Sequence, residues 1–203
     1  MKFISNVIVF VLMTIFGLHH NHFATQIAVQ PIVLFETSMG NFAIKLYPKK
    51  APITCENFLL YVNSGYYNNT LFHRVIDGFI IQGGGFKQGF TQEKTFLPIK
   101  NESKNGLSNA RGWVSMALTT NPDSATSQFF INVVDNFQLN YSEKNKFGYT
   151  VFAQVVDGMD VVDQIKKVPT QRMTIWSKLY QRDMPIYDVP KSDIVIKNVM
   201  QIQ

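Results

Sequence analysis

Apolar and polar residues alternate along much of the chain beyond about residue 30, with the period of strands that bury one face. Phe42, Ile44 and Leu46 alternate with polar or small neighbours, and the closing segment Ile194–Met200 alternates again. Segments with this pattern or with a short apolar run are predicted to be strands: Ile32–Glu36, Asn41–Tyr47, Leu71–Ile76, Phe79–Gln82, Trp113–Leu118, Gln128–Val134, Tyr149–Val156 and Ile194–Met200.

Two segments carry apolar residues at helical spacing instead. The first begins at Pro52, which suits the first turn of a helix, and runs through Val62 before a stop at Gly65. The second, Asp160–Lys167, follows Gly158. Together with the strands, these helices predict a mainly β chain folded as an antiparallel barrel, because closing a sheet removes its exposed edges.

The stretch Gln171–Pro190 departs from these patterns. It is polar, aromatic and without a clear period, and it predicts a long surface loop. No internal repeat or linker divides the chain, so residues 31–203 are expected to form one domain.

The N-terminal segment has the pattern of an export signal. Lys2 precedes the mostly apolar run Val7–Leu18, which is too short for a spanning helix of about 20 apolar residues. Residues 1–28 are therefore predicted to be a signal peptide, cleaved after Ala24 or Ala28. An uncleaved anchor and a buried N-terminal strand remain alternatives.

Composition narrows the functional classes. The chain has 203 residues, a net charge of +5, a single Cys and 13% aromatic residues. Such a composition excludes a disordered chain and a disulfide framework, and the scattered basic residues do not favour nucleic-acid binding. The lone thiol, Cys55, is expected to pack in the core. The cluster His19, His20 and His22 is assigned to the N-terminal segment and not to a metal site.

Common catalytic motifs are absent or incomplete. Gly83-Gly84-Gly85 lacks the Lys and Ser/Thr of a phosphate-binding loop, and neither Gly-x-Ser-x-Gly nor His-Glu-x-x-His occurs. A nucleophilic pair of Cys55 and His73 is disfavoured, because both lie in apolar runs. His73 is expected to face the opposite side of its strand from Arg74 and to have a hydrogen-bonded support role.

Two polar and aromatic segments stand out. The run Phe72-His73-Arg74-Val75 is followed by an Asp77-Gly78 turn and then by Phe79–Gly84. Across such a turn, Arg74 and Gln82 would face one groove among apolar neighbours. The second segment, Ser124–Ile131, places further polar residues beside aromatic ones.

These segments resemble the cyclophilin family of peptidyl-prolyl cis-trans isomerases. Phe72–Gly84 resembles the most specific signature of the family and Ser127–Ile131 the second, within a match from about Val33 to Met200. The runs Tyr67–Thr70 and Asp123–Asn132 are most similar to exported cyclophilins of Gram-negative bacteria. The resemblance implies a closed eight-stranded antiparallel barrel capped by two α-helices.

The resemblance also implies the site residues. Arg74 matches the catalytic arginine, Phe79 the aromatic wall of the proline pocket, and Gln82 the glutamine that holds the substrate backbone. Further substrate-binding positions are implied along the same groove: Ile80, Ala117, Leu118, Gln128, Phe130, Gln138, Leu139 and Tyr149.

Three positions depart from the family pattern. Ile80 replaces a common Met, and Tyr149 stands where cyclosporin-sensitive eukaryotic members have His. Gln138 stands where those members have Trp, although a one-residue slip would place Phe137 there. Because an indole N–H is missing in either alignment, we expect weak cyclosporin binding.

The implied reaction is rotation about X–Pro bonds, which forms and breaks no bond and requires no metal or cofactor. The expected partners are proline-containing polypeptides, above all unfolded exported proteins, and the expected location is the periplasm, with a monomer as the default state. A non-catalytic proline-binding chaperone or adaptor using the same groove is the main alternative. A surface-associated interaction protein, held by an uncleaved anchor, is a third class.

Overall fold

A computed structural model describes residues 30–144, 146–177 and 181–203. The predicted signal peptide, residues 1–28, and the histidine cluster His19, His20 and His22 lie outside the described residues. No helix among the described residues has the length and apolar character needed to cross a bilayer.

Eight strands form a closed barrel in which every neighbouring pair is antiparallel, as expected. They are β1 (Ile32–Thr37), β2 (Gly40–Leu46), β3 (Thr70–Ile76), β4 (Ile80–Lys87), β5 (Trp113–Met116), β6 (Phe129–Asn132), β7 (Val151–Asp157) and β10 (Val195–Gln201). Around the barrel their order is β1-β10-β3-β4-β6-β5-β7-β2. Each predicted strand is present, with bounds that shift by a few residues.

Two helices accompany the barrel. Helix α1 (Pro52–Asn63) begins with proline, whose missing N–H costs nothing in the first turn, and it buries Cys55, Phe58 and Val62. Helix α2 (Met159–Ile165) follows Gly158, which has a φ of 72° that favours glycine. Both helices were predicted, and they bury their apolar residues in the same core as the strands.

The prediction of a surface loop at Gln171–Pro190 is wrong. Strands β8 (Thr170–Ser177) and β9 (Arg182–Pro190) pair as an antiparallel hairpin outside the barrel, and β9 packs against β3. A register shift between Gln171 and Met173 interrupts the pairing, and Pro185 lies within β9. These interruptions obscure the two-residue period by which a strand is recognised.

Aromatic side chains fill the barrel interior. Phe129 is fully buried, and its ring meets the edges or faces of the rings of Phe35, Phe58, Tyr67 and Phe72 at centroid distances of 5.5 to 6.1 Å. Rings at such distances and tilts attract one another beyond the effect of their burial. The barrel strands therefore surround a closely packed aromatic core.

The lone cysteine is part of this core, as predicted. Cys55 is 2% exposed, and burial is the main cause that raises the pKa of its thiol to about 12. Its Sγ lies 3.6 Å from the Phe152 carbonyl oxygen. The thiol therefore stays protonated at neutral pH, and the disfavoured pair with His73 does not form a reactive site.

Candidate active site

A half-open pocket of about 230 Å³ lies on the outer face of the barrel. Nine of the eleven predicted site residues line it together: Arg74, Phe79, Ile80, Gln82, Ala117, Leu118, Phe130, Leu139 and Tyr149. They come from segments far apart in sequence, and the closed sheet brings them to one place.

Strand register places three of the pocket residues, Arg74, Gln82 and Phe130, in one row. Arg74 on β3 pairs directly with Gln82 on β4, and Gln82 pairs with Phe130 on β6. Directly paired residues share a face of the sheet, so these side chains lie side by side across three strands. The expectation that Arg74 and Gln82 face one groove is confirmed.

A β-bulge in β3 turns Arg74 outward. Phe72 pairs with Gly83 while Arg74 pairs with Gln82, so His73 is an extra residue on β3. Both Phe72 and Val75 are consequently buried in the core, although their spacing would place them on opposite faces of a regular strand. The two residues between them, His73 and Arg74, lie on the other side and border a common second pocket.

The expected position of His73 is therefore corrected. Its ring packs edge-on against Phe86 at 4.8 Å, on the same side as Arg74 and not on the opposite face. Its Nδ1 atom is buried without a hydrogen-bond partner, so the predicted hydrogen-bonded role does not hold at this nitrogen. Burial is the main cause that lowers the pKa of His73 to about 4, and the ring is neutral at neutral pH.

The glycine run on β4 makes space for Gln128 beside the pocket and for a tyrosine ring of the core. A Cβ at Gly85 would lie 2.5 Å from the Gln128 side chain, and one at Gly84 would lie 2.8 Å from the Tyr67 ring. Because Gly85 lets Gln128 approach, the Gln82 Nε2 atom donates to Gln128 Oε1 at 2.8 Å. Gln128 thus orients Gln82 from beside the pocket, and it does not line the pocket itself.

Gln138 is the other predicted site residue that does not line the pocket. It is exposed, lies outside the pocket lining, and donates from Nε2 to Asn136 Oδ1 at 3.3 Å. Its neighbour Phe137 is 57% exposed and also absent from the lining. The next residue, Leu139, does close the pocket.

The opposite wall joins two loops by backbone and ring contacts. The Tyr149 N–H donates to the Leu139 carbonyl at 2.9 Å, and the Tyr149 ring meets Phe130 edge-on at 5.5 Å. Ala117 N–H donates to the Gln128 carbonyl at 2.9 Å. These contacts fix the apolar side of the pocket opposite Arg74.

Sequence reasoning missed a buried set of asparagines beneath the pocket. Asn136 Nδ2 donates to the Phe79 carbonyl and to Asn132 Oδ1, both at 2.9 Å. Asn132 Nδ2 donates to Asn109 Oδ1 at 3.3 Å, and Asn140 Oδ1 accepts from the Asn109 N–H at 2.7 Å. The set ties the turn carrying Phe79 to the loop carrying Leu139. Asn residues are usually surface or turn residues, so only their spacing in three dimensions reveals this role.

Besides Gln82, Arg74 has an acidic neighbour, Asp188, that the sequence did not predict. Its Nε lies 3.4 Å from Asp188 Oδ2 on β9, and the two side chains are 40% and 38% exposed. Asp188 has a φ of 59°, a left-handed conformation that Asp tolerates better than most residues. The hairpin therefore sets a carboxylate beside the arginine while leaving much of the guanidinium open to the pocket.

The barrel carries a pocket in which apolar side chains lie beside the cation of Arg74. Residues 32–200 match the family model described as cyclophilin type peptidyl-prolyl cis-trans isomerase/CLD. The chain belongs to this family of enzymes, which catalyse cis-trans exchange of the peptide bond before proline. The resemblance noted in the sequence is confirmed.

Known proteins similar to this chain carry the same activity in their names. Peptidyl-prolyl cis-trans isomerase B of Escherichia coli is 55% identical over 170 residues, which cover 83% of this chain and 98% of that protein. A peptidyl-prolyl cis-trans isomerase of Acinetobacter baylyi is 51% identical over 158 residues, covering 78% of this chain and 84% of that protein.

A solved structure shows the same fold at lower sequence identity. The cyclophilin-type isomerase of Cryptosporidium parvum is 28% identical and superimposes with a TM-score of 0.67, covering 86% of this chain and 98% of that one. A second structure of that protein, with a TM-score of 0.66, was determined in the presence of the dipeptide Ala-Pro. The expected barrel is thus seen in a solved member of the family, and the family match supports the isomerase activity.

Proposed function

We propose that the pocket beside Arg74 binds the proline ring of a polypeptide and that Arg74, Phe79 and Gln82 catalyse its isomerisation. The observation that carries this proposal is the convergence of nine predicted residues on one pocket, with Arg74 and Gln82 paired across neighbouring strands. The pocket combines an apolar floor with a cation at its rim, which suits a neutral ring whose nitrogen gains electron density.

Arg74 supplies the electrostatic part of catalysis. Amide resonance gives rotation about the X–Pro bond a barrier of about 18–20 kcal/mol. In the twisted state the prolyl nitrogen regains its lone pair, and a fixed cationic donor stabilises that state over both planar ones. Arginine stays charged at any working pH and presents several N–H groups in a rigid plane.

The remaining pocket residues bind the proline ring and hold the peptide on one side of the rotating bond. Phe79 and Leu139 are half-buried, whereas Phe130 and Ile80 are 2% and 4% exposed and form the apolar floor. They grip the ring, and their exclusion of water strengthens the interaction with Arg74. Gln82, oriented by Gln128, presents an amide to the substrate backbone so that one side stays fixed while the other rotates.

The decisive test compares wild type with Arg74→Ala and Arg74→Lys. Exchange of a short X–Pro peptide is followed by NMR or by a protease-coupled assay. Loss of about 3–4 kcal/mol of transition-state stabilisation predicts a several-hundredfold lower kcat/KM for Arg74→Ala. Arg74→Lys keeps the charge without the planar fork and is expected to fall between the two.

Two outcomes would contradict the assignment. An active wild type with an equally active Arg74→Ala variant would keep the family activity and overturn the role of Arg74. A folded wild type that binds proline peptides without accelerating exchange would favour the proline-binding chaperone or adaptor.

We further infer that the enzyme acts as a monomer on unfolded exported proteins in the periplasm, after removal of residues 1–28. The apolar run Val7–Leu18 behind Lys2 supports this inference, and so does the start of the family match at residue 32. Cell fractionation and mass spectrometry of the mature N-terminus test it. An intact N-terminus in a membrane fraction would favour the uncleaved anchor.

Weak cyclosporin binding is part of the same proposal. Gln138 is exposed beside the pocket and has no indole N–H to donate, and Phe137 has no polar hydrogen to offer in its place. Titration of cyclosporin against the exchange rate measures the inhibition constant. A nanomolar value would refute this expectation.

A further inference from the structure

A second pocket lies on the other side of Arg74. It has a volume of about 300 Å³, and its barrel side is formed by His73, Arg74 and Phe86. Its outer wall consists of consecutive residues of the hairpin strand β9: Pro185, Ile186, Tyr187 and Asp188. Arg74 lines both this hairpin pocket and the proline pocket, so the two pockets are neighbours that share this side chain.

The lining of the hairpin pocket is largely apolar. Phe86, Pro185, Ile186 and Tyr187 present rings and an aliphatic chain, and the charged groups are confined to the Arg74–Asp188 edge. His73 adds no charge near neutral pH, since its pKa is lowered to about 4, mainly by burial. A pocket of this composition favours an apolar or aromatic group over an ionic one.

Contacts between the two hairpin strands position the outer wall of the hairpin pocket. The Arg172 guanidinium of β8 lies over the Tyr187 ring at 5.3 Å, and Met173 pairs with Ile186 across the hairpin. Tyr187 is nevertheless 55% exposed, which leaves ring surface available to a ligand. The hairpin thus holds an aromatic ring at the edge of a pocket that adjoins the catalytic arginine.

We propose that the hairpin pocket is a specificity subsite for an apolar side chain of the same polypeptide whose proline occupies the first pocket. This proposal rests on the proposed function, and its occupant follows from the continuity of the two pockets at Arg74. Since both pockets border Arg74, the side chain in question belongs to a residue near the proline, and the three positions on either side are the ones to test. The hairpin makes the enzyme select among X–Pro sequences.

The test uses a peptide series and matched variants. Peptides carry Ala, Leu or Phe at each of the three positions before and after proline, and kcat/KM is measured for wild type, Tyr187→Ala and Trp176→Ala. Trp176 is 59% exposed on the same hairpin but does not line the pocket, so its variant controls for loss of a hairpin aromatic. Neither residue belongs to the proline pocket.

At one position, wild type is expected to prefer Phe or Leu over Ala by about tenfold, the scale of a modest apolar contact. Tyr187→Ala should reduce that preference to about twofold, chiefly through KM, while Trp176→Ala keeps it. The all-Ala peptide should be processed equally by the three proteins. Equal preference in wild type and Tyr187→Ala, or no preference at any position, would overturn the subsite.

NMR of the wild-type protein provides a second readout that requires no variant. On titration with the preferred Phe peptide, the Phe86 ring and the Ile186 methyl groups are expected to shift, whereas the all-Ala peptide shifts only the proline pocket. Absence of these shifts with a bound Phe peptide contradicts the subsite. If no peptide is isomerised by wild type at all, the proposed function fails, and this binding measurement still decides the subsite separately.

Discussion

The proline pocket and the hairpin pocket meet at Arg74 but are built in different ways. The proline pocket takes its residues from three barrel strands and several loops that are far apart in sequence, above an aromatic core and a buried set of asparagines. The hairpin pocket takes its outer wall from four consecutive residues of β9, in a hairpin whose outer face is exposed.

This difference in construction matches the different roles of the two pockets, which are catalysis in the proline pocket and substrate selection in the hairpin pocket. A group that stabilises a twisted bond must be held accurately, and closed strand register with satisfied buried amides provides that accuracy. A wall that contacts flanking side chains tolerates adjustment, and a two-stranded hairpin on the surface provides it with few long-range constraints. Mutations in the barrel should therefore affect stability and catalysis together, whereas mutations in the hairpin should mainly affect selectivity.

The largest expected contrast is between aromatic residues of the two regions. Phe129→Ala removes the ring that touches four other buried aromatic residues and should cost about 3–5 kcal/mol in unfolding free energy. Trp176→Ala on the exposed hairpin face should change it by less than about 0.5 kcal/mol. Urea denaturation measures both. A hairpin variant as destabilised as the core variant would show that the hairpin is as important for stability as the barrel core.

His73 lines the hairpin pocket beside Arg74, and its burial predicts a pH effect on stability. Its pKa is lowered from 6.5 to about 4 in the folded protein, first by burial and also by the nearby Arg74 charge. A lowered histidine pKa means that unfolding takes up a proton, so its contribution is complete above pH about 6.5 and is lost as pH falls towards 4. Integration over that window gives up to about 3 kcal/mol.

The measurement compares unfolding free energies of wild type and His73→Gln between pH 4 and 7. The wild-type curve should fall more steeply on acidification, because the variant lacks this titrating group. The exchange rate should meanwhile stay nearly flat from about pH 6 to 8, since an arginine side chain is charged throughout that range and His73 is already neutral. Parallel stability curves would show that His73 is not buried as described.

Asn136 tests the amide set beneath the proline pocket. Asn136→Ala leaves Asn132 Oδ1 without its donor and removes one of the two donors to the Phe79 carbonyl, which keeps the Val133 N–H at 3.1 Å. The change should cost about 1–3 kcal/mol of stability. Because Phe79 walls the pocket, kcat/KM should fall for every peptide to the same degree. Urea denaturation and a peptide series check these two effects. Unchanged activity at reduced stability would limit the asparagine to a structural role.

The smallest expected effect concerns the contact between hairpin and arginine. Asp188→Asn removes the charge beside Arg74 and keeps a residue that accepts a positive φ. A half-exposed ion pair is worth about 0–1 kcal/mol, so kcat/KM should change by at most about fivefold. Asp183→Asn, at an exposed position on the same strand, is the matched control and should have no effect.

The result for Asp188→Asn also shows whether the hairpin takes part in catalysis. A loss of several hundredfold, equal to that of Arg74→Ala, would place the hairpin within the catalytic machinery and remove the distinction between the two regions. A small change would leave the hairpin as a selective wall.

Much of the barrel and its pocket was predictable from the sequence, for identifiable reasons. Alternation in segments such as Phe42–Leu46 reports which face of a strand is buried, and Pro52 with Gly65 brackets a helix. The motif around Arg74 and Gln82 contains four of the nine pocket residues, and the turn between them makes their pairing a local property. The family resemblance implied the other five.

Other features depended on contacts that no local pattern encodes. The β-bulge at His73 overturned the simple expectation that neighbours in a strand face opposite ways. The hairpin at 170–190 escaped recognition because its strands are interrupted and its inner face packs on β3. Asn136 resembled any loop asparagine until the fold placed it under Phe79.

Residue patterns along the chain were enough to predict the strands and helices, the buried thiol, the local Arg74–Gln82 pairing and, through the motifs, the family. Only the folded structure shows that Arg74 is shared by two pockets and lies beside Asp188, 114 positions further along the chain. The physical reason is that residue patterns record which side chains avoid water, whereas the identity of a distant neighbour depends on how the whole sheet closes.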